Sequence, residues 1–75
     1  MEIPLDIIIA EDNLVQRTYL SRMITHLGHV ALVAEDGIEA LKLVQTSGAQ
    51  ILITDFDMPN MNGLELTRAV RDLNL

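Results

Sequence analysis

The sequence contains no cysteine. That absence excludes disulfides, thiolate metal sites and cysteine nucleophiles together, and it leaves a chain of 75 residues without covalent staples. Basic residues are scarce as well: Arg17, Arg22, Lys42, Arg68 and Arg71 stand against 11 acids, for a net charge of −6. Phosphate recognition needs Lys and Arg gathered on one surface, so direct binding to nucleic acid is not expected; cations and basic protein surfaces are the better partners. Long apolar runs are missing too. The longest, Val30 to Ala34, falls far short of a membrane span. Met1-Glu2-Ile3-Pro4 has neither the basic nor the apolar region of a signal peptide. The expectation is a cytoplasmic protein that does not engage a membrane.

What is present is sufficient for a core. Apolar residues make up 49% of the chain, an ordinary share for a globular protein, although the length allows one small domain only. Ile7-Ile8-Ile9-Ala10 is a continuous β-branched run, the pattern of a strand covered on both faces in a parallel sheet. It ends in Glu11-Asp12-Asn13. Leu14, Val15, Tyr19, Leu20, Met23, Ile24 and Leu27 then recur at helical spacing, with Gln16, Arg17, Ser21 and Arg22 on the other face. Asp12 or Asn13 supplies the N-cap and Gly28 the stop, and His26 and His29 read as cations at the helix end.

The β-α alternation repeats three times. Expected strands cover residues 6–11, 30–34 and 50–55, and expected helices 13–27, 37–47 and 63–73. The class is α/β with short connections. Open parallel sheets place their crevice beyond the carboxyl ends of the strands, where Glu11, Asp12 and Asp55 fall. Carboxylates brought together there repel unless a cation neutralises them or one stays protonated. An oxygen-only set suits a hard ion, with Mg²⁺ favoured over Ca²⁺ because it keeps waters and open positions. An EF-hand is excluded: Asp55 and Asp57 fit its first and third positions, but Pro59 falls where Asp or Asn is needed and Asn60 where Gly is needed. Taken singly, Asp12 and Asn13 also fit plain N-caps and Asp55 a turn residue, and Met58 and Met61 fit loop anchors.

Taken together, Glu11-Asp12, Asp55, Met58-Pro59, Gly63 and Asp36-Gly37-Ile38-Glu39-Ala40-Leu41 resemble the N-terminal portion of a bacterial response-regulator receiver domain. The resemblance runs from Ile7 to about Arg71 and implies a truncated flavodoxin-like fold, a three-stranded parallel sheet in the order 2-1-3. It implies that Asp55 is the phosphoryl acceptor and that Glu11, Asp12, Asp55 and the backbone carbonyl of Asp57 hold Mg²⁺. It further implies a signalling module in place of an enzyme, with a sensor histidine kinase or phosphotransfer protein as donor. The family's fourth-strand Ser or Thr and fifth-strand Lys have no counterpart here, so signalling is expected to be impaired. A bare third strand at residues 50–55 suggests a homodimer through that edge or the adjacent helices. The alternative is a half-receiver that acts as a dimerisation module without phosphotransfer. A small hydrolase using Asp55 and Asp57 is weaker, since the chain has no room for a substrate pocket.

Overall fold

The computed structural model describes residues 3–73. The elements are β1 (Asp6–Ala10), α1 (Leu14–His26), β2 (Val30–Ala34), α2 (Gly37–Ser47), β3 (Ile51–Thr54) and α3 (Gly63–Asp72). The three strands form one parallel sheet in the order β2-β1-β3. Ile9 lies opposite Val33 on one side and Ile53 on the other, and Ala10 opposite Ala34 and Thr54.

Each helix begins at a short polar side chain that satisfies an otherwise orphaned N–H. Asn13 Oδ1 accepts the Gln16 N–H at 3.0 Å, so Asn13, and not Asp12, caps α1. Asp36 does the same for α2 through Glu39. Asn62 and Glu65 exchange bonds of 2.8 and 3.0 Å in a capping box at α3. Gly28 and Gly48, at φ 91° and 68°, follow the first two helices in the left-handed region that suits glycine.

The sheet is packed on both faces. Ile8 and Ala10 point to the side of α2 and α3, where Ala34, Ala40, Met58 and Leu66 complete the larger cluster. Ile7 and Ile9 point to α1 and meet Ile24. Ile8, Ile9 and Leu66 are fully buried, each contributing roughly 1.5–3 kcal/mol of apolar transfer free energy. The continuous apolar run of β1 is thus explained by two covered faces.

Two expectations need correction, for α1 and for His29. The helical stripe of α1 is not a core stripe: Ile24 is buried and Leu20 partly so, but Leu14, Val15, Tyr19, Met23 and Leu27 are exposed. The reason is geometric, because α1 crosses β1 and β2 and the described residues place nothing over the rest of its apolar side. β3 is the bare edge strand expected, with Ile51 and Ile53 exposed on the α1 face. The His29 side chain does not serve α1, although its N–H donates to the Ile24 carbonyl: Nδ1 accepts the Leu5 N–H at 3.0 Å, and the Val30 N–H donates to the Leu5 carbonyl, extending the β1–β2 junction.

Candidate functional site

Two backbone hydrogen bonds carry the ladder one residue past the strands. The Glu11 N–H donates to the Ala34 carbonyl at 3.1 Å, and the Asp55 N–H donates to the Ala10 carbonyl at 2.9 Å. The carboxylates that follow β1 and β3 are therefore neighbours despite their distance in sequence. Glu11, Asp12 and Asp55 each offer an oxygen within 4.8 Å of the others. The sequence reading of strands through Glu11 and Asp55 overshoots by one residue at each end, since both belong to the loops although their N–H groups still pair.

The three acids differ in setting. Asp12 and Asp55 are exposed, whereas Glu11 is only 4% exposed and its Oε2 has no hydrogen-bond partner. Burial first, and then the Asp55 carboxylate beside it, push the Glu11 carboxyl above its ordinary value of 4.5, with the Asn13 backbone acting in the opposite direction. A buried acceptor without a donor is rare in folded proteins and asks for a positive partner. Oxygen donors alone, without His or Cys, match a hard divalent cation. The donor set and the orphaned oxygen therefore fit Mg²⁺.

Asp55 is held by its own loop. Its Oδ1 accepts the Phe56 N–H at 2.8 Å, and its carbonyl accepts the Thr54 hydroxyl at 2.8 Å. The loop after β3 packs closely on α3 and α2. A Cβ on Gly63 would collide with the Asp55 carbonyl oxygen and come within 3.0 Å of Phe56 Cα, so glycine is required by backbone approach. Gly37 is equally tight against Met61. Met58 is buried in the core, and Asn60 adopts φ 69°. Asp57 is exposed and its side chain lies outside the carboxylate cluster.

One residue placed on the solvent face by its helical position is not there. The Arg17 side chain is only 11% exposed and turns back over the start of α1. Its Nη1 donates to the Glu11 carbonyl at 2.9 Å and the Asp12 carbonyl at 3.4 Å, while Nη2 meets Glu35 at 3.4 Å. The available signal was an arginine in the second helical turn, within reach of the acidic pair.

Fold and site together define a flavodoxin-like α/β module with an acidic pocket at the carboxyl ends of its strands. A family model for the response regulator receiver domain matches residues 7–75. The chain belongs to the response regulator receiver family. It is 44% identical over 70 residues to the sensor protein EvgS of Escherichia coli K12, covering 93% of this chain and 6% of that protein. It is 40% identical over 67 residues to a chemotaxis protein CheY homolog of Campylobacter jejuni, covering 87% of this chain and 52% of the relative. Among solved structures, Vibrio cholerae chemotaxis protein CheY4 superposes with a TM-score of 0.91 at 29% identity, over 96% of this chain and 60% of that one. The chain thus spans a small part of the sensor-kinase relatives and somewhat over half of the chemotaxis ones.

Proposed function

We propose that residues 1–75 form a single receiver unit whose Asp55 accepts a phosphoryl group from a phosphohistidine on a sensor histidine kinase or phosphotransfer protein. The observation that carries this reading is the position of Asp55: an exposed carboxylate, one oxygen fixed by the Phe56 N–H, beside Glu11 and Asp12. In the transfer an Asp55 oxygen attacks phosphorus, the P–N bond to the imidazole breaks, and its electron pair stays on the imidazole nitrogen. Fixing Oδ1 presents the carboxylate in one orientation, which reduces the entropy to be lost on attack. Glu11, Asp12, Asp55 and the Asp57 carbonyl would hold Mg²⁺, which when bound would offset the repulsion of the carboxylate and the anionic phosphoryl group.

These 75 residues hold the acceptor and the acids beside it, and phosphoryl acceptance is the step proposed for them. A cytoplasmic setting goes with it; among the described residues no helix is long and apolar enough to cross a membrane. A second reading, dimerisation of the chain, rests on a separate observation, the exposed apolar side of α1 next to the Ile51 and Ile53 edge.

Intact-mass spectrometry after incubation with acetyl phosphate and Mg²⁺ tests the first reading. The parent should gain one phosphoryl group and Asp55→Asn none. A parent that gains nothing under saturating donor overturns it.

A further inference from the structure

We propose that Arg17 is the positioning residue of the acidic site, holding the Glu11 and Asp12 carbonyls so that their carboxylates stand where a divalent cation needs them. The proposal rests on the cation reading above and adds a residue that the carboxylate pattern does not contain.

The loop from Glu11 to Asn13 must serve two ends. It leaves β1 and within three residues starts α1, and the same three residues carry two of the carboxylates. Its polar backbone groups are anchored on both sides. The Glu11 N–H is taken by Ala34 of β2 and the Glu11 carbonyl by the Arg17 guanidinium at 2.9 Å, with the Asp12 carbonyl 3.4 Å from the same nitrogen. The other end of the fork reaches Glu35, just after β2, at 3.4 Å. A single near-buried side chain thereby links the exits of β1 and β2 to the second turn of α1. A planar fork with several fixed donors can span such acceptors at once; an ammonium cannot hold the same set.

The guanidinium contacts carbonyl oxygens of the acidic pair and leaves their carboxylates unpaired, so it does not occupy the positions a cation would take. This gives two explanations of opposite sign. If Arg17 acted merely as a nearby positive charge, removing it would favour an incoming divalent cation. If it positions the ligands, removing it weakens binding, as loss of outer partners in metal sites commonly does, by about 10–100-fold.

The experiment is calorimetric titration of the full chain with Mg²⁺ alone, for the parent, Arg17→Met and Arg17→Lys, beside Glu11→Gln/Asp12→Asn. Amide exchange is measured without metal at Glu11 and Gln16, whose N–H groups donate to the Ala34 carbonyl and to Asn13 Oδ1. The expected result is parent binding, none in the double acid variant, at least about 10-fold weaker binding in both Arg17 variants, and faster exchange at the Glu11 and Gln16 amides. Equal or tighter binding in Arg17→Met overturns the proposal, as does full retention in Arg17→Lys. If Arg17→Met does not fold, Arg17→Lys, which keeps stem and charge, decides. A parent that binds no Mg²⁺ sinks the underlying reading instead, and the exchange data then decide Arg17: unchanged amides overturn its role, and faster ones support it.

Discussion

The Asn60 side-chain amide donates a 2.8 Å hydrogen bond to Asp36 Oδ2, while Asp36 Oδ1 caps α2 by accepting the Glu39 N–H at 2.8 Å. One carboxylate thus joins the loop after the proposed acceptor to the start of the helix that packs beside α3 over β1 and β2. Asn60 reaches it from the left-handed region, where asparagine is tolerated better than residues with larger or branched side chains. Asn60→Ala removes the bond and keeps the strain, and should lose on the order of 1 kcal/mol. For a domain this size that is a fall in melting temperature of about 4–8 °C. Asn60→Gly, which relieves the strain but not the bond, should fall less. Equal melting of all three proteins would show that the link carries no stability.

The two shifted carboxyl groups give opposite acid behaviour. Asp36 lies below its ordinary 3.8, chiefly through the Glu39 N–H and then Asn60, so it stabilises the fold above that value and the contribution is lost as pH falls through the lower folded value. Glu11 lies above 4.5, so the folded state takes up a proton first; stability is gained as pH falls through the raised value towards 4.5 and is lost as pH rises. Without metal, the melting temperature should rise slightly on acidification towards 4.5 and drop below 3.8. Glu11→Gln should abolish the rise.

Glu11→Gln should also stabilise the metal-free protein at neutral pH. It removes a buried charge facing Asp55 and leaves a neutral amide able to donate. An unsatisfied buried acceptor costs about 1–3 kcal/mol, so a gain near 1 kcal/mol is expected, seen as a melting temperature higher by about 4–8 °C. The same variant should bind Mg²⁺ poorly. A lower melting temperature than the parent would contradict the orphaned Oε2.

Gly63→Ala tests the close approach of α3 to Asp55. The atoms in the way are backbone, so no flexible side chain can yield, and overpacking of about 1–3 kcal/mol is expected. Phosphoryl uptake from acetyl phosphate should fall with it, because relief requires moving the Asp55–Phe56 segment. Unchanged stability and uptake would show that the loop shifts freely.

The dimer reading makes its own demand. Light scattering of the parent at micromolar concentration should give twice the monomer mass, and Tyr19→Glu or Ile53→Lys should return it to one. Tyr19 is mostly exposed, so its change removes little packing within one chain; Ile53, 37% exposed, is partly covered, and Ile53→Lys is read beside its melting temperature. A monomeric parent ends this reading without touching phosphoryl acceptance.

Much of the fold was legible because it rests on local repetition. The β-branched run Ile7 to Ile9, its echo at Ile51 to Ile53 and the capping residues Asn13, Asp36 and Asn62 each declare themselves within a few positions. The carboxylates were legible because strand ends in a parallel sheet converge. Arg17 was misplaced because helical periodicity assigns a face and is blind to a long side chain curling back over its own N-terminus. The Asn60–Asp36 and Leu5–His29 bonds join segments distant in sequence through single side chains, and no period encodes them. The exposed α1 stripe shows the limit of the pattern: apolar spacing marks a face suited to burial, and the described chain buries only its centre.

The pairing of Ala10 with Thr54 has a consequence for folding itself. A slip of one residue between β1 and β3 would turn every side chain of one strand to the opposite face and displace Asp55 by roughly 3.3 Å along the sheet. The three acids would then no longer converge. A cation that required all of them would bind the correctly registered chain alone and, at about 100 times its dissociation constant, would add roughly 2.7 kcal/mol to that form. Such an ion would therefore proofread strand alignment where β3, among the described residues, pairs with β1.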